Sequence, residues 1–129
     1  MMKILGIGVD VIQNKRIKSL IHNKTFINRT FGKKEIRFSK KINNKINYFA
    51  KRFAAKESLA KTIGTGFRNN LNFKDIEILN DKIGKPYYFK SKKIDNIINK
   101  RFKIKKYKLF LSISDEKDYS VAFTILQTL

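Results

Sequence analysis

The chain has 129 residues, of which 30 are Lys or Arg and 10 are Asp or Glu, so its formal charge is +20 at neutral pH. Hydrophobic residues make up 42% of the sequence, which excludes a disordered basic tail and predicts one folded domain over residues 1–129. There is no Cys and only one His, which excludes disulfides, thiol nucleophiles and zinc centres built from Cys or several His ligands.

No stretch is long and apolar enough to predict a membrane span, and the N-terminus lacks the pattern of a secretory signal. We therefore expect a cytoplasmic protein. The excess of Lys and Arg favours an anionic partner, such as nucleic acid, a phosphate-rich cofactor or an acidic protein. Lys, Ile and Asn are abundant and have codons rich in A and T, so charge alone does not choose between these partners.

Strands and helices are predicted from the periodicity of the apolar residues. In chain order, we predict a strand over 2–11, helices over 13–22, within 24–45 and over 46–63, strands over 75–80 and 86–89, a helix over 91–102, and strands over 107–114 and 119–126. Gly64 and Gly66 are expected to end the helix over 46–63. This order indicates an α+β domain with a mainly antiparallel sheet.

The first predicted strand carries an acidic residue, Asp10. Gly6 and Gly8 share its face of the strand, and because they lack side chains they leave room for a ligand or another backbone. A helix is predicted to follow, however, so Asp10 is also suited to cap that helix, and spacing alone favours the cap.

A second acid, Glu57, falls within the apolar arc of the helix over 46–63 when residues are placed 100° apart. An unpaired carboxylate facing a core is costly, so a cation is expected beside it: a metal ion, or Lys61 one turn later. Arg52 and Lys56 lie on the other border of the arc, so that cations flank the carboxylate on both sides. An ordinary Glu57–Lys61 ion pair is the alternative.

Two carboxylates without thiols or several imidazoles favour a hard, oxygen-liganded ion, and Mg²⁺ is preferred over zinc. The basic neighbours favour chemistry at phosphorus. Neither the P-loop motif nor the full Rossmann glycine motif is present, so both nucleotide folds are disfavoured.

Four segments, which together span nearly the whole chain, resemble the holo-[acyl-carrier-protein] synthases, the small bacterial-type 4′-phosphopantetheinyl transferases. They are GIGVDVI at 6–12, FAKRFAAKESLAKTIGTG at 49–66, DIEILND with GKPY within 75–87, and SISDEKDYSVAF at 112–123. The resemblance implies a 4′-phosphopantetheinyl transferase-like fold. It also implies a Mg²⁺-dependent reaction in which a serine of an apo acyl carrier protein attacks the β-phosphate of coenzyme A, and adenosine 3′,5′-bisphosphate leaves.

The same resemblance implies roles for individual residues. Asp10 and Glu57 match the family's metal ligands, and Lys61 matches a lysine that neutralises the phosphates and acts as general acid. The serine's proton would go to Glu57 or to a metal-bound water, a choice that stays open. Coenzyme A contacts are implied for Arg52, Lys56, Ser58, Gly64, Gly66, Gly84, Lys85, Pro86 and Ser114. Asp115 stands where the family often has His, and we expect it to hydrogen-bond its own backbone in a turn.

The resemblance also implies partners. Arg16 and Leu20, on the helix predicted over 13–22, would meet the acidic carrier protein. The last two predicted strands carry apolar residues on both faces, so one face needs cover from helices of the same chain or from other subunits. The resemblance to these synthases also implies a threefold assembly. We therefore predict a homotrimer with sites at subunit boundaries. A competing interpretation, a basic nucleic-acid-binding module that uses 24–45, explains neither Asp10 nor Glu57.

Overall fold

The computed structural model describes residues 2–68 and 70–129. Its elements, in chain order, are β1 (Ile4–Gln13), α1 (Asn14–Lys18), α2 (Lys24–Thr30), α3 (Lys33–Ser39), α4 (Lys45–Ile63), a 3₁₀ turn (Phe73–Asp75), β2 (Ile78–Asn80), β3 (Pro86–Tyr88), α5 (Lys92–Phe102), β4 (Tyr107–Asp115) and β5 (Tyr119–Thr128). The predicted α+β class is confirmed. Within the described part of the chain, no helix is both long enough and apolar enough to cross a membrane.

The strands form two antiparallel sheets. β5 lies in the middle of a three-stranded sheet, with β1 on one side and β4 on the other, and β2 and β3 form a separate hairpin. Asp10 of β1 and Ile113 of β4 both lie opposite Ala122 of β5. One face of the sheet therefore carries Asp10 together with Ala122 and Ile113.

Helix α4 packs against that face and forms the core with it. Its small residues Ala54 and Ala55 and the larger Leu59 are fully buried, as are Ala122 and Leu126 of β5. Because α4 is covered on most sides, by the sheet, the short helices and the β2–β3 hairpin, it is buried around much of its circumference rather than along one stripe.

The opposite face of the three-stranded sheet is open. Its apolar side chains are Ile7, Val9, Val11, Phe110 and Phe123, which are between 39% and 60% exposed. The described helices of this chain cover only the face on which α4 lies. An open apolar face of this kind is unusual for an isolated antiparallel sheet, whose outer face is normally polar.

The start of the chain differs from prediction in two ways. Helix α1 ends at Lys18 rather than at residue 22, and the hydroxyl of Ser19 donates to the carbonyl oxygen of Arg16, which favours a turn over further helix. The helix begins at Asn14 and has no side-chain cap. The interpretation of Asp10 as a helix cap is therefore wrong.

Candidate active site

Direct contact between β1 and α4 builds the site. A Cβ atom on Gly8 would overlap the carbonyl oxygen of Ser58 and the side chain of Thr62, so only glycine permits this approach. The Ser58 hydroxyl donates to the Gly8 carbonyl oxygen at 2.9 Å. This confirms that the glycines admit another backbone, and it places Asp10, two residues along β1, beside Glu57 and Lys61 of α4.

The acidic pair at this contact is only partly neutralised. Lys61 Nζ donates to Asp10 Oδ1 and to the carbonyl oxygen of Val9, in both cases at 3.0 Å. Glu57 has no ion-pair partner within 4.0 Å among the residues described. The alternative of an ordinary Glu57–Lys61 pair is therefore not observed, because the lysine binds the other carboxylate.

The pKa of Glu57 reflects this environment. Burial raises it above the usual value, and the negative charge of Asp10 raises it further, while the charges of Lys61 and Arg16 oppose the rise. The cations that act on Glu57 are thus Lys61 and Arg16. Arg52 and Lys56, which were predicted to flank Glu57 on its other side, are not among the cations that act on it.

The carboxylate pair suits Mg²⁺ in its donor chemistry. Across 2–68 and 70–129 no cluster of three or more His, Cys, Asp or Glu side chains exists that could enclose a metal. Mg²⁺ is ordinarily held by one or two carboxylates and completes its shell with waters and substrate phosphates. Asp10 and Glu57, two hard oxygen donors that lie close enough for Asp10 to raise the pKa of Glu57, fit that pattern.

Lys56 and Ser58 lie inside the fold. Lys56 Nζ is 2.6 Å from Glu35 Oε1 and also donates to the carbonyl oxygens of Phe73 and Ile76, with neither side chain of the ion pair exposed. Ser58 is also fully buried. Both side chains use their hydrogen bonds within the protein, so this geometry gives no support to the prediction that they contact coenzyme phosphates.

Arg52 lies at the junction of two neighbouring cavities of about 300 and 510 Å³, beside the β2–β3 hairpin. Its guanidinium stacks 3.8 Å from the centre of the Tyr48 ring and donates to Asn80 Oδ1 at 2.5 Å. Its Nε is buried and has no hydrogen-bond partner in the described part of the chain, and burial lowers the pKa of the group. Gly84, which accepts a hydrogen bond from Asn80, lines the larger cavity with Arg52. The smaller cavity, whose lining holds three further Lys or Arg side chains and no acidic one, is the one that suits an anion.

The hairpin turn supports the wall of that cavity. Gly84 has φ +88°, and the Asp81 carboxylate accepts from the backbone N–H groups of Ile83 and Lys85. Pro86 begins β3 directly after the turn. The segment is thus a tight turn, as the alternative interpretation held, and it also lies at the cavity.

The other predicted coenzyme contacts lie at the end of α4 and on β4. Gly64 and Gly66 follow α4 with positive φ angles, so the predicted helix end is confirmed. Ser114 lies on the open face of the sheet, opposite Val121. Asp115 does not bond its own backbone as expected, because its carboxylate accepts from Asn47 Nδ2 at 2.9 Å and lies 3.9 Å from Lys51.

The predicted partner residues lie at the start of the chain. Arg16 is exposed on α1, and Leu20 is half-buried in the turns that follow it. Because Arg16 acts electrostatically on Glu57, α1 borders the carboxylate pair.

Three residues around these sites escaped the sequence reasoning: Glu35, Tyr48 and Asn80. Tyr48 precedes Arg52 by one helical turn, a spacing that could have suggested their stacking. Glu35 and Asn80 come from distant segments, and nothing local marks them as partners of Lys56 and Arg52.

Comparison with known proteins decides the family. The family model of the 4′-phosphopantetheinyl transferase superfamily matches residues 6–124. The holo-[acyl-carrier-protein] synthase of Pelagibacter ubique is 59% identical over 126 residues, which are 98% of each chain. The chain belongs to this superfamily, among the holo-[acyl-carrier-protein] synthases. The predicted family and the prediction of an enzyme, a phosphopantetheinyl transferase, are both confirmed.

Solved structures agree with this assignment. The Bacillus anthracis synthase, crystallised in complex with CoA (3′,5′-ADP), is 32% identical with a TM-score of 0.82, and the match covers all of both chains. The Neisseria meningitidis synthase is 36% identical with a TM-score of 0.83 and covers 96% of this chain and 98% of its own. The competing interpretation, a nucleic-acid-binding module, receives no support from these relatives.

Proposed function

We propose that this enzyme transfers the 4′-phosphopantetheine group of coenzyme A to a serine of an apo acyl carrier protein, with Mg²⁺ as cofactor and adenosine 3′,5′-bisphosphate as second product. The observation that carries the proposal is the meeting of Asp10, Glu57 and Lys61 where β1 touches α4. A carboxylate pair with one adjacent ammonium matches the needs of phosphoryl transfer, in which catalysis depends on positioning and charge neutralisation.

The chain's own residues account for the movement of charge. The serine oxygen forms a bond to the β-phosphorus of coenzyme A, and the bond from that phosphorus to the bridging oxygen breaks, so the electron pair leaves on the bisphosphate. Lys61, whose side chain is 53% exposed, is mobile enough to neutralise the leaving phosphate. The serine proton would go to the Glu57 carboxylate or to a metal-bound water.

Asp10 and Glu57 would hold the metal. When bound, Mg²⁺ supplies Lewis-acid neutralisation of the pyrophosphate charge. We place a phosphate of coenzyme A at the smaller cavity beside Arg52, because the buried Nε of Arg52 has no hydrogen-bond partner among the described residues and the lining of this cavity is cationic. Gly84, which has no side chain, lines the neighbouring cavity. Lys85 and Pro86 would lie near the adenosine end.

The carrier protein would bind at α1. Arg16 is exposed there and its charge reaches Glu57, so an acidic partner drawn to this helix would arrive beside the carboxylate pair. Leu20 would supply an apolar contact. Charge complementarity of this kind speeds encounter and selects the partner.

Mass spectrometry of the carrier protein tests the proposed reaction. An apo carrier protein incubated with the enzyme, coenzyme A and Mg²⁺ should gain the mass of one phosphopantetheine on a serine. Excess chelator should abolish the gain, and the Asp10→Ala variant should reduce its rate strongly. Full turnover in the presence of chelator would overturn the metal-dependent part, and no mass gain under any condition would overturn the reaction.

The working unit is proposed to be a homotrimer with each site at a subunit boundary. The support is the open sheet face of Ile7, Val9, Val11, Phe110 and Phe123, which this chain's described helices leave uncovered. A cyclic assembly buries such a face with a single repeated contact.

Sedimentation equilibrium tests the assembly. We expect a mass of about 46 kDa, three times the 15.2 kDa chain. Val9→Asp on the open face should lower it, while the exposed Lys105→Asp should not. A fully active enzyme with a mass near 15 kDa would contradict the trimer.

A further inference from the structure

Lys61 is bound to one of the two carboxylates that the proposed function assigns to the metal. Its Nζ donates to Asp10 Oδ1 at 3.0 Å, and no other described Lys or Arg lies within 4.0 Å of that carboxylate. A second bond, to the Val9 carbonyl oxygen, holds the ammonium over β1. Lys61 therefore already occupies an oxygen that a divalent cation would use.

We propose that Lys61 is an exchangeable counter-ion: in the free enzyme it binds Asp10 and weakens metal binding, and coenzyme A draws it onto a phosphate, which frees Asp10 for the metal. This inference rests on the proposed function. It adds that the metal and coenzyme A bind cooperatively, and that Lys61 carries part of the coupling between them.

The two side chains have the mobility that the exchange requires. Asp10 is anchored in β1, with its side chain only 15% exposed, whereas the side chain of Lys61 is 53% exposed. A lysine is a compact charge on a flexible four-carbon stem, so it can change partners while Asp10 stays in place. A half-exposed ion pair of this kind is weak enough to be broken by a competing phosphate.

Electrostatics sets the sign of the effect. An ammonium on Asp10 repels a divalent cation and reduces the negative charge that attracts it. Glu57 cannot compensate alone, because a single carboxylate is a poor Mg²⁺ site without substrate phosphates. Coupling between two ligands is reciprocal, so coenzyme A must raise metal affinity by the same factor by which the metal raises coenzyme affinity.

Removal of the Lys61 charge thus has two opposite consequences. Metal affinity of the free enzyme should rise, while the transfer step slows because the ammonium no longer neutralises the phosphate. A lysine that stays on Asp10 throughout would also weaken metal binding, and its removal would also raise metal affinity. The exchange is distinguished by the coupling, because only a lysine that coenzyme A draws off Asp10 makes coenzyme A raise metal affinity less once it is removed.

The test is Mn²⁺ binding to the full-length enzyme, followed by electron paramagnetic resonance without coenzyme A. Lys61→Met and Lys61→Gln should bind Mn²⁺ about three- to tenfold more tightly than wild type. Lys93→Met, which breaks the Lys93–Asp75 ion pair elsewhere, is the matched control and should not change Mn²⁺ affinity. Added coenzyme A should raise Mn²⁺ affinity more in wild type than in either Lys61 variant.

The outcomes separate this inference from the function on which it rests. Equal or weaker Mn²⁺ binding by folded Lys61→Met and Lys61→Gln would overturn the exchange, as would the absence of binding in all three proteins. If Asp10→Asn and Glu57→Gln bind Mn²⁺ as wild type does, the proposed metal site itself is wrong. Tighter binding in the Lys61 variants that Asp10→Asn abolishes, together with a smaller effect of coenzyme A in those variants, would support both. An equal effect of coenzyme A in wild type and the Lys61 variants would overturn the exchange.

Discussion

Lys56 and Glu57 are neighbours on α4, but their charges have opposite surroundings: that of Lys56 is paired inside the fold and that of Glu57 is not. Lys56 lies 2.6 Å from Glu35, is fully buried and has three hydrogen-bond acceptors. Glu57 is half-buried, has no described ion-pair partner and lies near the like charge of Asp10. One charge is completely satisfied inside the fold, and the other is not.

The contrast shows which charge is available for chemistry. A buried pair with every hydrogen bond made holds segments together, here α3, α4 and the segment before β2, and it resists exchange with a ligand. A carboxylate pair in which the one adjacent lysine binds only Asp10 retains negative charge that an external cation can neutralise. We therefore expect Lys56 to serve stability and Glu57 to serve the reaction, and substitutions should separate the two roles.

The largest expected effect is on folding. Lys56→Met leaves the Glu35 carboxylate buried without a cation, and we expect a loss of about 3–5 kcal/mol of unfolding free energy. Urea unfolding measures the change. Lys93→Met removes a partly exposed ion pair and should cost at most about 1 kcal/mol. If Lys56→Met cost no more than this control, the claim that the buried pair holds the fold would fail.

Substitution at Glu57 should have the converse effect. Glu57→Gln removes a carboxylate near Asp10, so the unfolding free energy should stay the same or rise slightly. The single-turnover rate should fall at least about 100-fold, equivalent to about 3 kcal/mol of transition-state stabilisation. Asp10→Asn should match it. Thermal unfolding measured on the same variant shows whether the lower rate reflects catalysis or a loss of folded protein. A rate near that of wild type would show that Glu57 takes no part in the reaction.

The helices and strands were predicted well from the sequence, because their positions follow from the local periodicity of apolar residues. The helix over 46–63 and the closing strand pair match α4, β4 and β5 within one or two residues. The two glycines of β1 correctly predicted a close approach of another backbone.

Contacts between residues far apart in the sequence could not be predicted from periodicity. The orientation of Lys56 depends on Glu35, 21 positions earlier, and that of Arg52 on Asn80, 28 positions later. Helical angles place residues on a face but do not show which other segment meets it. For the same reason the first helix was predicted too long, since the Ser19 hydroxyl bond that accompanies its end is not visible in apolar spacing.

The contact that builds the site can be broken without touching its charges. Gly8→Ala forces α4 away from β1, because the added methyl would overlap the Ser58 carbonyl oxygen and Thr62. We expect a loss of about 1–3 kcal/mol of stability and, in the folded fraction, a further loss of transfer rate from the displaced Glu57. Unfolding and single-turnover measurements on the same preparation test both. A slower rate without loss of stability would contradict the overlap.

A smaller effect is expected at the partner surface. Arg16→Glu should raise the KM for the carrier protein about tenfold and leave the KM for coenzyme A nearly unchanged, with the difference shrinking as salt rises. Because Arg16 lowers the pKa of Glu57, charge reversal raises that pKa, so the assay is run at about pH 8, well above any carboxyl pKa expected here. Lys105→Glu is the control. If only the KM for coenzyme A changed, Arg16 would belong to the coenzyme site and not to the carrier-protein surface.

The smallest effect is a shift in titration. Asp10→Asn removes a negative charge and should lower the pKa of Glu57, whereas Lys61→Met removes a positive charge and should raise it further. Since burial is the main cause of the raised pKa, Asp10→Asn should leave part of the rise in place. Carbon-13 NMR of the Glu57 carboxyl follows the titration. Shifts of the opposite sign would show that Glu57 does not face these groups.

The most direct test of the carboxylate site is a Mg²⁺ titration of the single-turnover transfer rate, with wild type and Glu57→Gln compared at equal folded concentration. We predict that the wild-type rate rises from near zero in chelator to a plateau, and that Glu57→Gln stays about 100-fold lower even at saturating Mg²⁺. A Glu57→Gln enzyme that reaches the wild-type plateau, or a wild-type rate independent of Mg²⁺, would contradict the account.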